Sequence, residues 1–213
     1  MATDLALSLV LGYFLGAIPI GIFAGRAFSG IDPREAGSRN IGFTNVLRVA
    51  GKAAGIVTLI GDMGKGALAI YLARVLIGPA AGDSVLAAGA AAILGHMFPV
   101  FLRFKGGKGV ATALGVLLAA EPAIGGCLMA VWLTTAAIWR MSSLAALIAF
   151  GSLPLWGWLF HPTAQMAVFT AGTMMAIAYR HRENISRLKA GTEPKFGQRR
   201  TAQGITLSPR NTS

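Results

Sequence analysis

Acidic residues and cysteine are what this chain has least of. Asp and Glu together number 8 in 213 residues, against 19 Lys and Arg, and charged residues of both signs make up only 13%. A soluble domain of this length carries about a quarter charged residues, so a chain wetted on all sides is excluded. The single cysteine, Cys127, rules out an internal disulfide; it lies in an apolar run, where a packed side chain is expected rather than a reactive thiol. The N-terminus lacks the basic stretch of a secretion signal, and Asp4 stands where positive charge belongs. A nucleotide P-loop is absent too, because Lys108 is followed by Gly109 instead of Ser or Thr, and position 102 is Leu.

What fills the chain instead is apolar: 54% hydrophobic residues and a mean hydropathy of +0.63. The expected fold is an all-α integral membrane protein, a compact bundle of seven transmembrane helices. The spans fall at about 5–28, 53–78, 84–102, 110–120, 123–139, 144–160 and 163–179. They leave no room for a separate soluble domain, so 1–197 reads as one polytopic membrane domain and 198–213 as a polar, disordered tail. Span 110–120 is short: eleven residues make a helix of roughly 17 Å against a hydrocarbon core of roughly 30 Å. It borrows the glycine loop before it, sits in a locally thinned bilayer, or is a half-helix backed by protein.

Charge orients the array. The segments 29–52, 103–109 and 140–143 and the C-terminal stretch fall on one side and collect nearly all the Lys and Arg, whereas the opposite loops offer Asp83, Glu121 and His161. The positive-inside rule makes the basic side cytoplasmic, with the N-terminus outside and the C-terminus cytoplasmic. A five-span arrangement with re-entrant third and fourth segments keeps the same cytoplasmic loops and is the alternative. The net charge of +11 then points to topology and to anionic substrates or lipids, not to nucleic acid.

The stretch GHMFPVFLRFKGGKGVAT, residues 95–112, organises the rest. It runs from an apolar segment through Pro99 into a loop with Arg103, Lys105 and Lys108 among Gly106, Gly107 and Gly109, then into the next span through Thr112. Glycines let backbone N–H groups converge on an anion, and lysines suit phosphate. Ordinary positive-inside residues beside a glycine turn are the alternative. A second cluster, GSRNIGFTNVLR at 37–48, offers Gly37, Ser38, Asn40, Thr44, Asn45 and Arg48, groups that hydrogen-bond a polyol or phosphate or else cap helices and form turns. The third, from Arg180 to Arg187, places His181 and Asn184 three apart on one helical face, with Arg182 between them. A snorkelling basic collar is the other reading. Asp62 and Lys65 lie three apart within a span, where ionisable groups face a partner or a wet cavity. His96 leads into the glycine loop as an orienting or a packing residue. All three clusters stand at span ends on the same face, which supports one composite site for anionic head groups with apolar tails left in lipid.

These stretches, together with RHRENISRLKAGTEPKFG at 180–197 and DMGKG at 62–66, resemble the signature motifs of the bacterial acyl-phosphate-dependent glycerol-3-phosphate acyltransferases, the PlsY family, over residues 1 to about 197. The resemblance implies a seven-helix bundle and acyl transfer from acyl phosphate to the 1-hydroxyl of glycerol 3-phosphate, giving lysophosphatidic acid and inorganic phosphate. It implies catalytic positions at Ser38, Arg48, Lys108, His181 and Asn184, and a glycine loop from Gly106 to Gly109 that clamps phosphate. No cofactor or metal is expected, and the soluble enzyme that makes acyl phosphate is a candidate partner. Two positions depart from the family pattern: Arg39 stands where Gly is common, and Phe43 where Ala is usual.

Acyl phosphate is a mixed anhydride with a good leaving group, so the protein's task is to gather two anionic substrates and orient a hydroxyl. The hydroxyl proton goes to a substrate phosphate positioned by His181 and Asn184, or to His181 as general base; an acyl-enzyme on Ser38 ranks last, because no base partner for it is visible. Acyl-CoA-dependent acyltransferases show His, four residues, then Asp. Five positions beyond His96, His161 and His181 stand Phe101, Met166 and Ser186 instead. A transporter of small phosphorylated solutes is the alternative of a different class; it would show internal repeats and polar groups on both faces.

Overall fold

The computed structural model describes residues 2–78 and 82–196, the side chains of 82 and 83 excepted. The expected outer-face acid Asp83 and the tail 198–213 therefore lie outside the described side chains. Every regular element among the described residues is helical: α1 (Ala2–Ala17), α2 (Ile20–Ser29), α3 (Phe43–Ile77), α4 (Gly82–Met97), α5 (Val110–Ala120), α6 (Pro122–Trp139), α7 (Ser142–Gly151), α8 (Leu153–Phe160), α9 (Ala164–Arg180) and α10 (Arg182–Lys189). Apolar helix occupies each of the seven stretches read from the sequence. Five are long and apolar enough to cross a bilayer, counting α1 with α2 and α7 with α8 as continuous stretches. The remaining two are α5, of eleven residues, and α9, of seventeen.

The largest departure from expectation is α3. It begins ten residues before the expected start at 53 and swallows the second half of the polar cluster at 37–48. Gly51, at φ 89 and ψ 178, kinks it, so the first turns lean away from the apolar shaft. Pro19 splits the first span after Ala17. Pro99 ends the third, leaving a short 3-10 turn, Val100–Leu102. At α5 the boundaries match the sequence, because Gly109 in a left-handed conformation starts it and Pro122 opens the next helix.

Small residues set the packing. A side chain at Gly12 or Gly16 of α1 would collide with the backbone of Ala88 or Ala92 on α4, and one at Gly66 of α3 with the Thr112 carbonyl on α5. These close approaches are the small-residue contacts by which helices associate in lipid, where no hydrophobic effect drives them together. Ile70, Met97, Val116, Leu117, Ile124 and Leu128 close the core between α3, α4, α5 and α6. Outward, Phe23, Ile60, Leu133, Trp158 and Val168 are more than half exposed, an apolar surface that fits lipid, not water. At the end away from the basic loops, Arg74 donates to the Ala119 and Ala120 carbonyls at the close of α5, and Glu121 pairs with His161 at 3.1 Å.

Candidate active site

The first wall is the loop before α3, and it is held from inside. Asn45, buried in the first turn of α3, directs its Nδ2 at the carbonyls of Pro33, Ala36 and Asn40 (2.9, 3.1 and 2.8 Å), and its Oδ1 accepts from the Ser38 backbone N–H at 2.8 Å. Asp32 takes Arg26 and Arg34 at 2.9 and 2.6 Å, and Arg34 holds its carboxyl well below the usual range. Asn40 accepts from the Gly42 N–H in a tight turn. The Asn45 side chain and the Asn40 Oδ1 thus bond the loop itself, which is the turn-forming alternative, while Ser38 and Arg48 line the cavity beside it. Neither Arg39 nor Arg48 makes an ion pair or side-chain hydrogen bond among the described residues.

The second wall is the glycine loop, and here one expectation is corrected. The N–H groups of Gly106 and Gly107 do not converge on an anion: they donate to the carbonyls of Met97 and His96 at 3.2 and 3.0 Å, capping the end of α4. Their own carbonyls accept from Arg180, Gly106 O from Nη2 at 2.6 Å and Gly107 O from Nε at 2.9 Å. The guanidinium also lies 5.3 Å from the Phe98 ring centre. A helix end leaves carbonyls without partners, and the loop satisfies two of them by folding back. Glycine is needed for this, because a Cβ at Gly107 would sit 2.0 Å from His96 Nε2. What the loop delivers is Lys108 together with the start of α5, where Gly109, Val110 and Ala111 face the interior.

The third wall comes from the junction of α9 and α10. His181 lies between them, and its Nδ1 is 2.8 Å from the Ile177 carbonyl. A carbonyl only accepts, so Nδ1 carries the proton and Nε2 is left as an acceptor. Burial, with Lys108 nearby, pushes His181 down to about 4, so the ring is neutral at physiological pH. Lys108 Nζ donates to Asn184 Oδ1, and burial pushes that ammonium down to about 8. Asn184 Nδ2 donates to Glu193 at 2.6 Å, and Ser143 and Arg187 donate to the same carboxylate at 2.6 and 2.7 Å. Burial opposes the charge on Glu193, but these three donors outweigh it and keep the carboxyl below its ordinary range. Phe196 completes the wall through paired backbone and side-chain bonds with Arg140.

These walls enclose one cavity of about 750 Å³. Ser38, Arg48, Lys108, His181 and Asn184 all line it, as do Gly37, Asn40, Thr44, Asn45, Asp62, His96 and Gly109. Of the other expected contacts, Lys65, Lys105, Gly106, Gly107, Thr112 and Arg182 do not line it. Lys105 points outward, Arg182 stacks on Tyr179 at 4.8 Å, and the buried Thr112 hydroxyl has no partner among the described residues. Lys65 lies just behind, 2.8 Å from Asp62. Sequence reasoning passed over Glu193 and the serines Ser142 and Ser143, and took Arg180 and Arg187 only as the ends of the third basic cluster. The signal for Glu193 was an acid in a basic stretch that holds one other, Glu183. Among the described residues no group of three His, Cys, Asp or Glu side chains is placed to hold a metal ion. Chemically the cavity joins a cationic, hydroxyl-bearing end to an apolar one made by Leu59, Met63, Leu114, Leu128, Met129 and Trp132. It fits an anionic head group carrying an apolar tail.

Comparison with known proteins agrees with this geometry. Residues 6–191 match the glycerol-3-phosphate acyltransferase family. The chain is 52% identical over 195 residues to a glycerol-3-phosphate acyltransferase of Jannaschia sp. (strain CCS1), covering 91% of this chain and 94% of that protein. It is 43% identical over 197 residues to one of Bordetella pertussis, covering 90% and 92%. Its fold is similar to crystal structures of PlsY, an integral membrane glycerol 3-phosphate acyltransferase. The glycerol 3-phosphate form matches at 37% identity with a TM-score of 0.84, covering 91% of this chain and 96% of that one; the lysophosphatidic acid form matches at 0.82, covering 91% and 95%. On its sequence, its helical fold and its lined cavity, the chain belongs to the glycerol-3-phosphate acyltransferase (PlsY) family of integral membrane proteins.

Proposed function

We propose that the chain transfers a fatty acyl group from acyl phosphate to the 1-hydroxyl of glycerol 3-phosphate, releasing lysophosphatidate and inorganic phosphate. The observation that carries this reading is the meeting of Ser38, Arg48, Lys108, His181 and Asn184, from segments up to 146 positions apart, in one cavity with an apolar end. In the reaction the 1-hydroxyl oxygen attacks the acyl carbon, the carbon–oxygen bond to phosphate breaks, and the electron pair leaves with phosphate. Arg48 and Lys108 offset the repulsion of two phosphate-bearing substrates, and in a partly dry site their charge counts for more than in water. A group that titrates at about 4 is a weak base near neutrality, so His181 Nε2 orients glycerol 3-phosphate by accepting from its second hydroxyl, and the 1-hydroxyl proton passes directly to a phosphate oxygen. Ser38 contacts substrate; its backbone N–H is held by Asn45, and no base is bonded to its hydroxyl among the described residues. The solved relatives in glycerol 3-phosphate and lysophosphatidic acid forms support both ends of the reaction.

The same reading places the cavity at the cytoplasmic face of a bacterial inner membrane, with the N-terminus outside, since the four basic segments assigned to that face are the ones that line it. A fluorescent protein fused after Ser213 is expected to fluoresce, and an alkaline phosphatase fusion there to be inactive. The decisive assay gives purified protein glycerol 3-phosphate with acyl phosphate or acyl-CoA. Lysophosphatidate and phosphate from acyl phosphate alone are expected. Product only from acyl-CoA would overturn the donor assignment, and solute movement without product would point to a transporter.

A further inference from the structure

Behind the phosphate end of the cavity lies a buried cluster that the reaction above does not use. Lys65 Nζ is within hydrogen-bond distance of three acceptors: the Ile18 carbonyl at 2.9 Å, Asp62 Oδ1 at 2.8 Å and His96 Nδ1 at 2.9 Å. The lysine is 5% exposed and the histidine 4%, so water does not compete. An ammonium has three protons and no lone pair. Each of its protons therefore has one acceptor, and His96 Nδ1 must accept. Asp62 Oδ1 also lies 3.5 Å from His96 Nδ1, but the shorter contact is to a group that only donates, and that fixes the direction.

We infer that Lys65 and Asp62 act as positioning residues that hold His96 in its Nε2–H tautomer, making it a neutral, direction-fixed donor to a substrate phosphate oxygen. Nε2 lies against Gly107, 2.0 Å from the point a Cβ there would occupy, and His96 lines the cavity; no hydrogen-bond partner for Nε2 stands among the described residues. His181 has the opposite tautomer, with its proton on Nδ1 held by the Ile177 carbonyl. One cavity thus holds a donor imidazole and an acceptor imidazole, each fixed by a group behind it, as second-layer partners fix histidines in other sites. A neutral donor adds a phosphate contact beside Lys108 without a further charge repelling that ammonium. This inference deepens the acyltransferase reading and rests on it for the identity of the phosphate, which belongs either to glycerol 3-phosphate or to acyl phosphate.

The test begins on the intact protein in detergent with 15N-labelled histidine. The chain has three histidines, so His161→Gln removes the one on the far side and His96→Gln assigns the next. Near pH 7.5 His96 is expected to show the Nε2–H pattern and His181 the Nδ1–H pattern, and inorganic phosphate is expected to shift the His96 Nε2 signal. The same tautomer on both rings, a doubly protonated His96, or a His96 signal indifferent to phosphate overturns the inference. Kinetics supply the second arm. His96→Leu is expected to raise KM for one phosphate substrate about 10- to 100-fold, the worth of a hydrogen bond to a charged group, with kcat little changed. His96→Gln, which keeps an N–H near the Nε2 position, is expected to stay within about threefold of the parent in KM. A rise for glycerol 3-phosphate or for acyl phosphate identifies which phosphate is held; a rise for neither, or equal loss in Leu and Gln variants, overturns the inference. Absence of acyl transfer by the parent protein would sink the functional reading alone, leaving the tautomer and phosphate titration to decide this one.

Discussion

Lys108 is the cation whose charge state the structure specifies most sharply, and its pH dependence tests the site. Burial pushes the ammonium down to about 8, so it is charged below that value and loses its proton as pH rises through it. The profile of kcat/KM reports the free enzyme, and glycerol 3-phosphate, with a second pKa of about 6, is already a dianion across this range. A basic limb centred near pH 8 is therefore expected. At pH 9, one unit beyond, about a tenth of the lysine is still protonated, so kcat/KM is expected to fall about tenfold. A bound dianion favours the ammonium, which places the corresponding limb of kcat at higher pH. Lys108→Arg replaces it with a group charged beyond pH 12. That variant is expected to be slower, since a planar guanidinium does not reproduce the single contact to Asn184, but to lose the basic limb. Initial rates in both proteins between pH 6.5 and 10, with thermal unfolding followed alongside, give the measurement. A parent profile flat to pH 9.5, or a limb near 8 that survives in Lys108→Arg, would refute the assignment.

Three further outcomes follow from the same geometry. Asn45→Ala removes four hydrogen bonds to the loop backbone; a loss of about 2–4 kcal/mol in unfolding free energy is expected, together with at least tenfold lower kcat/KM, and unchanged stability would remove Asn45 from its role as the loop's clamp. Gly107→Ala puts a methyl 2.0 Å from His96 Nε2, so the loop or the ring must move at a cost of about 1–3 kcal/mol, and the phosphate-substrate KM is expected to rise at least tenfold; wild-type kinetics would show that the contact is easily relieved. Arg39 holds a left-handed backbone at φ 60, which costs an L side chain about 1 kcal/mol. Arg39→Gly is expected to leave stability equal or higher while raising KM severalfold, more at low salt, whereas unchanged KM would mean that this rim cation only faces solvent.

Much of the fold was legible because lipid makes composition a strict signal. A run without charges must cross or be buried, and Gly109 and Pro122 mark the ends of α5 to the residue. The start of α3 was not legible, since Thr44, Asn45 and Arg48 look alike in a loop and in a polar first turn, and only the tertiary contacts of Asn45 decide between them. The five residues proposed as catalytic were legible through motif resemblance, and they share one cavity. Local pattern misled at Gly106 and Gly107, where a glycine–lysine string suggests an anion nest. Pro99 breaks α4 just where the chain must reverse, and the freed carbonyls of His96 and Met97 claim the amides first. Arg180 read as a membrane-surface cation, yet it reaches back 73 positions to tie that loop. No periodicity carries such a distance.

Glu193 looks misplaced on the proposed reading, because a carboxylate in a cavity that takes phosphates adds repulsion. Its donors resolve this. Arg187 and Ser143 take part of its charge, and Asn184 takes the rest through Nδ2. An amide whose nitrogen is committed to a carboxylate has only its oxygen to offer on the other side, and that oxygen receives Lys108. Without the acid, Lys108 alone would hold the Asn184 amide in this orientation, since turned over it would present N–H groups to an ammonium. Glu193 therefore helps to fix which way Asn184 faces, and Asn184 fixes where Lys108 points. The anion is bonded to Asn184 and not to the ammonium, which Asn184 aims in turn. One proton of the ammonium goes to Asn184; on the proposed reading the others go to substrate phosphate.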